Sequence, residues 1–282
     1  MDVIQLRKVS KSFGTLRAVD DLSLAVPRGC IYGFIGPNGS GKTTTLRMLM
    51  SILRPDTGEV EILGERNPPA AKDSVGYLPE ERGLYKKMNV RRLLRYYGKL
   101  KNAGPQLDAR IDEWLDRMAL TDWADKMVET LSKGMAQKIQ FLSTIIAEPE
   151  IIVLDEPFSG LDPVNLEVLR EAVLTLRKNG ATIIFSTHDM AVAERMCDRI
   201  FMIYKGRKVL DGTQDEIQAE YGQDTLRVRT TAGAEALKSL DGVDDVRDHG
   251  QLQELRFTGD TQKLLHDLLA RTEVHHFEQT RP

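Results

Sequence analysis

The sequence predicts an α/β fold, a largely parallel sheet with helices packed on it, followed by a small α+β module. Three observations predict it. Short apolar runs, CIYGFIG (30–36), IIVLDEP (151–157) and TIIFST (182–187), recur at wide spacing with helical stretches between them. That is the pattern of strands buried on both faces of a parallel sheet. A glycine-rich turn, GPNGSGKT (36–43), joins the first run to a helical stretch. Beyond a seam near 212–222 the long apolar segments give way to short mixed ones.

Taken in order, VIQLRKVSKSF alternates in polarity and opens a strand pair. CIYGFIG is a buried strand, and TTTLRMLMSIL a helix ended by Pro55 and Gly58. EVEILG and SVGYLP read as strands, and Val90 to Trp123 has helical periodicity. LSKGMAQKIQFLSTIIAE is a strong helix, followed by the strand IIVLDEP. Asp162 and Pro163 are an N-cap and a first-turn proline for VNLEVLREAVLTLRKNG, which Gly180 closes. TIIFST, DRIFMIY and RKVLDG complete the strands, the last two as a pair. In the terminal module TLRVRT, ALKSL, VDDVRD, LQELRFT, TQKLLHDLLA and EVHHFEQT alternate between strand and helix. The adjacent His275 and His276 point to opposite sides of a strand and are poor metal partners.

The bulk composition narrows the function. At 282 residues the chain holds one large domain, or one large and one small. With 41% hydrophobic and 29% charged residues it forms a packed body. A net charge of -3 argues against nucleic acid as a partner over the whole surface. Two cysteines, Cys30 and Cys197, are too few for a disulfide framework and lack metal-ligand spacing, which suits a reducing compartment. The opening MDVIQLRKVSKSF has no signal-peptide core, and no run approaches the roughly 18 apolar residues of a membrane helix. Any work on a membrane is therefore expected to pass through a partner.

The glycine-rich turn carries chemistry. GPNGSGKT matches G-x-x-x-x-G-K-[ST]. Gly36, Gly39 and Gly41 let the backbone turn tightly and aim its N–H groups inward. The helix that begins there adds its unpaired N–H groups and positive dipole end. Lys42 supplies a full charge for the outer phosphates, and Thr43 a hydroxyl for magnesium. The loop as a whole, with Pro37, Asn38, Ser40 and Thr44, is the expected nucleotide cradle.

A second set ends two other strands. Asp155 closes the apolar run IIVLD, where ligands of open parallel sheets bind. It is expected to hold magnesium, with Glu156 beside it to polarise an attacking water. His188 ends TIIFSTH, where sheet neighbours would bring it to the same γ-phosphate.

GPNGSGKTT, LSKGMAQ, IIVLDEP, SGLD and STHD follow one another in the order of the nucleotide-binding subunit of ABC transporters, which residues 1 to 215 resemble. With YLPEERGLY and the terminal module, the chain looks like ATPase subunits of sodium-exporter-like and drug-exporter-like systems. The resemblance implies a phosphate-loop NTPase with a mixed sheet, an antiparallel β subdomain and a helical subdomain at about 88–148. Residues 216–282 would be an accessory α+β domain that regulates or braces a dimer. It implies ATP and Mg2+ as cofactors and a location on the cytoplasmic face of the membrane. The partners would be a transmembrane permease and a second ATPase subunit, identical or different.

In such head-to-tail pairs each ATP lies between the phosphate loop of one copy and the signature turn of the other. By resemblance Ser132 and Gly134 reach the γ-phosphate held by the partner, Asp162 links the two sites, and His188 is the γ-phosphate switch. Phe13 stands where an aromatic stacks on adenine. Glu80 stands where the family has Gln against magnesium and the attacking water. Lys133 and Met135 replace Gly and Gln of the signature, and a Lys cannot take backbone angles reserved for Gly. Leu84 and Tyr85 lie on the face that receives a short helix of the membrane subunit. Beside them Arg91, Arg92 and Arg95 either approach anionic lipid or form a solvated helix face. The rival reading is a soluble relative that works the same clamp on a cytosolic scaffold, such as an iron–sulfur assembly ATPase.

Overall fold

The computed structural model of the chain describes residues 1–66, 73–81, 83–221 and 225–279. It divides into two compact units, Met1–Asp211 and Gly212–Pro282.

The first unit opens with β1 (Asp2–Phe13) and β2 (Leu16–Pro27), a long antiparallel hairpin turned at Gly14. Only the first arm of that hairpin is legible from its alternation. β3 (Ile31–Ile35) is buried along its whole length and leads into α1 (Lys42–Leu49). α1 stops well before Pro55, where the apolar periodicity of TTTLRMLMSIL would end it. Ser51 turns left-handed at φ 54° and Leu53 folds onto the core, so burial of Leu53 replaces further helix. β4 (Thr57–Ile62) then pairs with β1, and the short β5 (Glu65–Arg66) closes an antiparallel sheet in the order β2-β1-β4-β5.

β6 (Val75–Leu78) is followed by three helices, α2 (Val90–Leu100), α3 (Leu107–Arg117) and α4 (Lys133–Ile145). Asn89 caps α2 by accepting the Arg92 N–H at 2.8 Å. Arg91 and Arg95 of α2 pair with Asp112 and Asp108 of α3. Both pairs lie at the protein surface, with Asp112 and Asp108 more than half exposed. The chain continues through β7 (Ile151–Asp155), α5 (Pro163–Lys178), β8 (Thr182–Thr187), α6 (Met190–Met196), β9 (Arg199–Tyr204) and β10 (Arg207–Gly212). Asp162 caps α5 with Pro163 in its first turn.

The second sheet has the order β10-β9-β3-β8-β7-β6. Its pairs β9–β3, β3–β8, β8–β7 and β7–β6 are parallel. β3, β7 and β8 therefore end side by side, and everything at their carboxyl ends converges. Between the two sheets lies one apolar core built on Val9, Leu22, Phe34, Leu46, Val153 and Phe201. Phe34 and Phe201 stack with centroids 4.8 Å apart. Burial of each such large side chain contributes about 1.5–3 kcal/mol, which makes the strand ends a rigid platform.

The second unit begins with α7 (Gln214–Tyr221), a helix at the place where the sequence shows a seam. β11 (Thr225–Thr230), α8 (Gly233–Lys238), β12 (Val243–Asp248), β13 (Gln253–Phe257), α9 (Thr261–Arg271) and β14 (Val274–Gln279) follow. They form an antiparallel sheet in the order β12-β13-β11-β14 with its own core of Leu226, Val228, Leu255, Phe257, Leu264 and Leu268. His275 and His276 are both exposed, and His276 meets Glu278 at 3.2 Å.

Candidate functional site

The turn between β3 and α1 is built from close approaches. A Cβ on Gly36 would lie 2.3 Å from the Ile203 carbonyl oxygen, and one on Gly41 2.5 Å from that of Ala18. Gly39 and Gly41 have φ of 76° and 108°, where side chains are strained. Gly41→Ala is expected to open the loop and weaken ATP binding by at least about tenfold, since the strain and the contact each cost of order 1–3 kcal/mol. Equilibrium binding of a fluorescent ATP analogue, with a melting curve as the control for folding, checks it.

Pro37, Asn38 and Gly39 are exposed at the tip of the turn, while the Ser40 hydroxyl is buried without a partner. Thr43 and Thr44 lie half-buried in the first turn of α1, which holds no acidic residue. The helix end is thus short of a negative charge. Lys42 is only 6% exposed and donates from Nζ to the carbonyl oxygens of Gly36 at 2.7 Å and Pro37 at 3.3 Å. Its ammonium is held across the mouth of the loop, where an anion would sit.

Asp155 and Glu156 end β7 beside it. Asp155 is 1% exposed. Its Oδ1 accepts from the Ser186 hydroxyl at 2.6 Å, whereas Oδ2 is buried with no partner. An unmet carboxylate oxygen in the interior is costly, and a cation beside it removes the cost. Among the described residues no three acid, histidine or cysteine side chains gather to hold a metal by themselves. Magnesium retains waters and binds through one or two carboxylates plus substrate phosphates, so the orphaned oxygen, the Thr43 hydroxyl and phosphate together fit such an ion. Glu80 is exposed and shares with Asp155 and Glu156 the wall of a cavity of about 180 Å3.

Glu156 occupies the centre. Its Oε1 is 3.6 Å from Lys42 Nζ, and its carboxylate is 3.1 Å from Nδ1 of His188 at the end of β8. An ammonium from the start of α1, a carboxylate from the end of β7 and an imidazole from the end of β8 thus meet at one point. The backbone N–H of Glu156 donates to Ser186 Oγ at 2.9 Å. Sequence reasoning gave Ser186 no role, although it stands on β8 two residues before His188.

The remaining candidates gather elsewhere. Ser132 is the exposed N-cap of α4 and accepts the Met135 N–H at 3.3 Å. Lys133 is the first helical residue and is not among the positive-φ positions, so this signature does not require glycine there. Gly134 faces Asn165, whose Nδ2 would be 3.1 Å from a Cβ, and Asn165 in turn donates to Asp162 at 2.5 Å. Hydrogen bonds from the Asn165 backbone and side chain hold the Asp162 carboxyl below the usual carboxylate range. Phe13, at the tip of the β1–β2 hairpin, is 48% exposed, with Lys11 Nζ 5.8 Å from its ring centroid. Neither cysteine adds chemistry: burial pushes the Cys30 thiol up to about 11 and raises that of Cys197.

These arrangements have counterparts. Residues 19–159 match the family model for ABC transporters, and residues 212–282 that for the C-terminal domain of DrrA1-3-like ATP-binding proteins. The chain is 40% identical to the ABC transporter ATP-binding protein YhaQ of Bacillus subtilis, over 86% of this chain and 81% of that one. It is 37% identical to the daunorubicin resistance ATP-binding protein DrrA3 of Streptomyces coeruleorubidus, over 77% of this chain and 70% of that protein. A solved ATP-binding subunit of an ABC transporter superposes with a TM-score of 0.73 at 29% identity, covering 78% of this chain and 93% of that one. With a phosphate loop and an acid–histidine cluster on adjacent strand ends, and likeness running through both units, the chain belongs to the ABC transporter family, as an ATP-hydrolysing subunit that works with a membrane permease.

Proposed function

We propose that this chain drives an exporter by closing in pairs on two ATP molecules, with Glu156 as the base that activates water. The observation that carries it is the convergence of Lys42, Glu156 and His188 at 3.1–3.6 Å. Lys42 and the Gly36–Thr44 loop hold the phosphates. Glu156 takes a proton from water as its oxygen attacks the γ-phosphorus, and the bond to the bridging oxygen breaks to leave ADP and phosphate. His188 orients Glu156 and meets the γ-phosphate. Magnesium, when bound, neutralises charge on the phosphates, and Thr43, Asp155 and Glu80 are the residues that would hold it. Phe13 stacks on adenine.

The Ser132–Gly134 turn and Asp162 lie in a cluster of their own, which suits a surface that completes the site of a second copy. Two-fold pairing of one patch with itself then makes both sites at once. Export rather than import is favoured by the name of the daunorubicin resistance relative and by the DrrA-like terminal domain. Among the described residues no helix is long and apolar enough to cross a membrane. As in the family it belongs to, the chain works on the cytoplasmic face with its permease. Tyr85, Tyr96 and Tyr97 form a ring cluster with centroids 5.6–6.4 Å apart. With the half-buried Leu84, it is the docking face for that permease.

Ser132→Arg separates this reading from a single-chain ATPase. ATP affinity of the isolated chain is expected to stay within about twofold, because Ser132 serves the other copy's nucleotide. ATP-driven pairing, read by light scattering, is expected to disappear, since each charge-assisted contact contributes about 1.5–3 kcal/mol. Undiminished hydrolysis by a strictly monomeric Ser132→Arg chain would sink the paired mechanism.

A further inference from the structure

The backbone at Glu156 is not relaxed. Its φ of 50° lies in the left-handed region that a residue with a side chain holds only when its surroundings impose it. Two buried side chains from other elements grip the turn. From β8, Ser186 receives the Glu156 N–H at 2.9 Å. From α4, Gln137, 5% exposed, donates its side-chain amide to the carbonyl oxygen of Pro157 at 2.6 Å and lies 3.5 Å from that of Ser159. Gln137 is one of three buried polar side chains on α4, with Lys138 and Gln140, beside the apolar Ile139, Phe141 and Leu142. A buried amide is placed there only with a partner, and that partner is the residue next to the proposed base.

α4 is also the helix capped by Ser132. Five steps along the helix, a rise of roughly 7.5 Å, take the chain from Ser132 to Gln137. A helix segment of that length moves as one piece. The next turn repeats the device: Gln140 donates to the carbonyl of Glu81 at 3.4 Å, beside Glu80. Both loops that carry acids to the nucleotide are thus tied by glutamine amides to the helix that begins at the signature turn.

We propose that Gln137 is a positioning residue for hydrolysis, fixing the Glu156–Pro157 segment to α4 so that the aim of Glu156 follows the position of the Ser132 turn. The inference rests on the reading of Glu156 as base and of the Ser132 turn as a contact to the other copy's ATP. Under that reading Gln137 joins one site's γ-phosphate contact to the other site's base. Hydrolysis at either nucleotide then depends on the other being gripped.

Gln137→Met tests it in the full chain, since methionine keeps the volume and length and loses the donor. Steady-state ATPase assays are expected to show kcat down at least about tenfold, as small misplacements of a reacting group cost up to about 10²-fold. KM for ATP is expected to move less than about twofold, and ATP-driven pairing to persist. In a Glu156→Gln background the same substitution is expected to lower the residual rate no further, because Gln137 acts through Glu156. A kcat equal to wild type, a parallel loss of kcat and ATP affinity, or an equal fold-loss in the Glu156→Gln background each overturn the proposal. If Gln137→Met does not fold, Gln137→Asn, which withdraws the amide by one methylene, is read by the same criteria. Wild-type turnover by Glu156→Gln alone overturns the assignment of the base instead, whatever Gln137 does.

Discussion

Glu156→Gln is expected to bind ATP as tightly as the native chain while hydrolysing it about 10²–10⁴ times more slowly, the usual worth of a positioned general base. The amide has the shape of the carboxylate and keeps an oxygen toward His188 Nδ1, now 3.1 Å away. It cannot accept a proton from water. It also removes the negative charge 3.6 Å from Lys42 Nζ, so the ammonium is drawn to phosphate without competition. The variant is therefore expected to accumulate as an ATP-loaded pair, visible by light scattering with ATP and absent with ADP. Phosphate release in single-turnover assays measures the rate. Turnover at the native rate would show that another group activates water.

Lys42→Ala is expected to act earlier in the cycle. The side chain is buried, with hydrogen bonds to the carbonyl oxygens of Gly36 and Pro37 and an ion pair to Glu156. Truncation removes a charge from the phosphate site and leaves Glu156, whose side chain is 9% exposed, without its cation. Hydrogen bonds to charged groups contribute about 1.5–3 kcal/mol each. Two lost contacts to phosphate then weaken ATP binding by about 10²-fold or more. Titration with a fluorescent ATP analogue reads the affinity, and a melting curve separates lost binding from lost folding. Native affinity in a folded Lys42→Ala chain would mean that the loop backbone alone holds the nucleotide.

The two variants separate because binding and hydrolysis draw on different parts of one cluster. Lys42 belongs to the loop and Glu156 to the end of β7. Only the order of strands in the sheet brings them together. Gln137 would extend that division if it sets the aim of Glu156 through its hydrogen bond to the Pro157 carbonyl, as proposed.

The phosphate loop was legible in the sequence because its physics is local. Eight consecutive residues supply the positive-φ glycines, the inward N–H groups, the helix start and the ammonium, and no distant contact is needed to recognise them. Asp162 with Pro163 was legible for the same reason, a cap and a first turn being a three-residue matter. Apolar runs such as IIVLD and TIIFST likewise declared buried strands, because burial on both faces of a sheet leaves no polar alternation.

The tertiary structure decided what depends on long-range burial. The insertion of β8 between β3 and β7 brings His188, 32 residues further along the chain, to the Glu156 carboxylate. The early end of α1 follows from packing Leu53 on the core, which no helical periodicity reveals. Arg91 and Arg95 read as free basic charge until α3 supplies their acids. Gln137 and Ser186 lie inside the stretches LSKGMAQ and STHD, yet no role could be read for them there, since an amide on a helix and a hydroxyl on a strand are common. Their meaning lies in which buried backbone group each satisfies, and that is fixed only once separate elements are packed against one another.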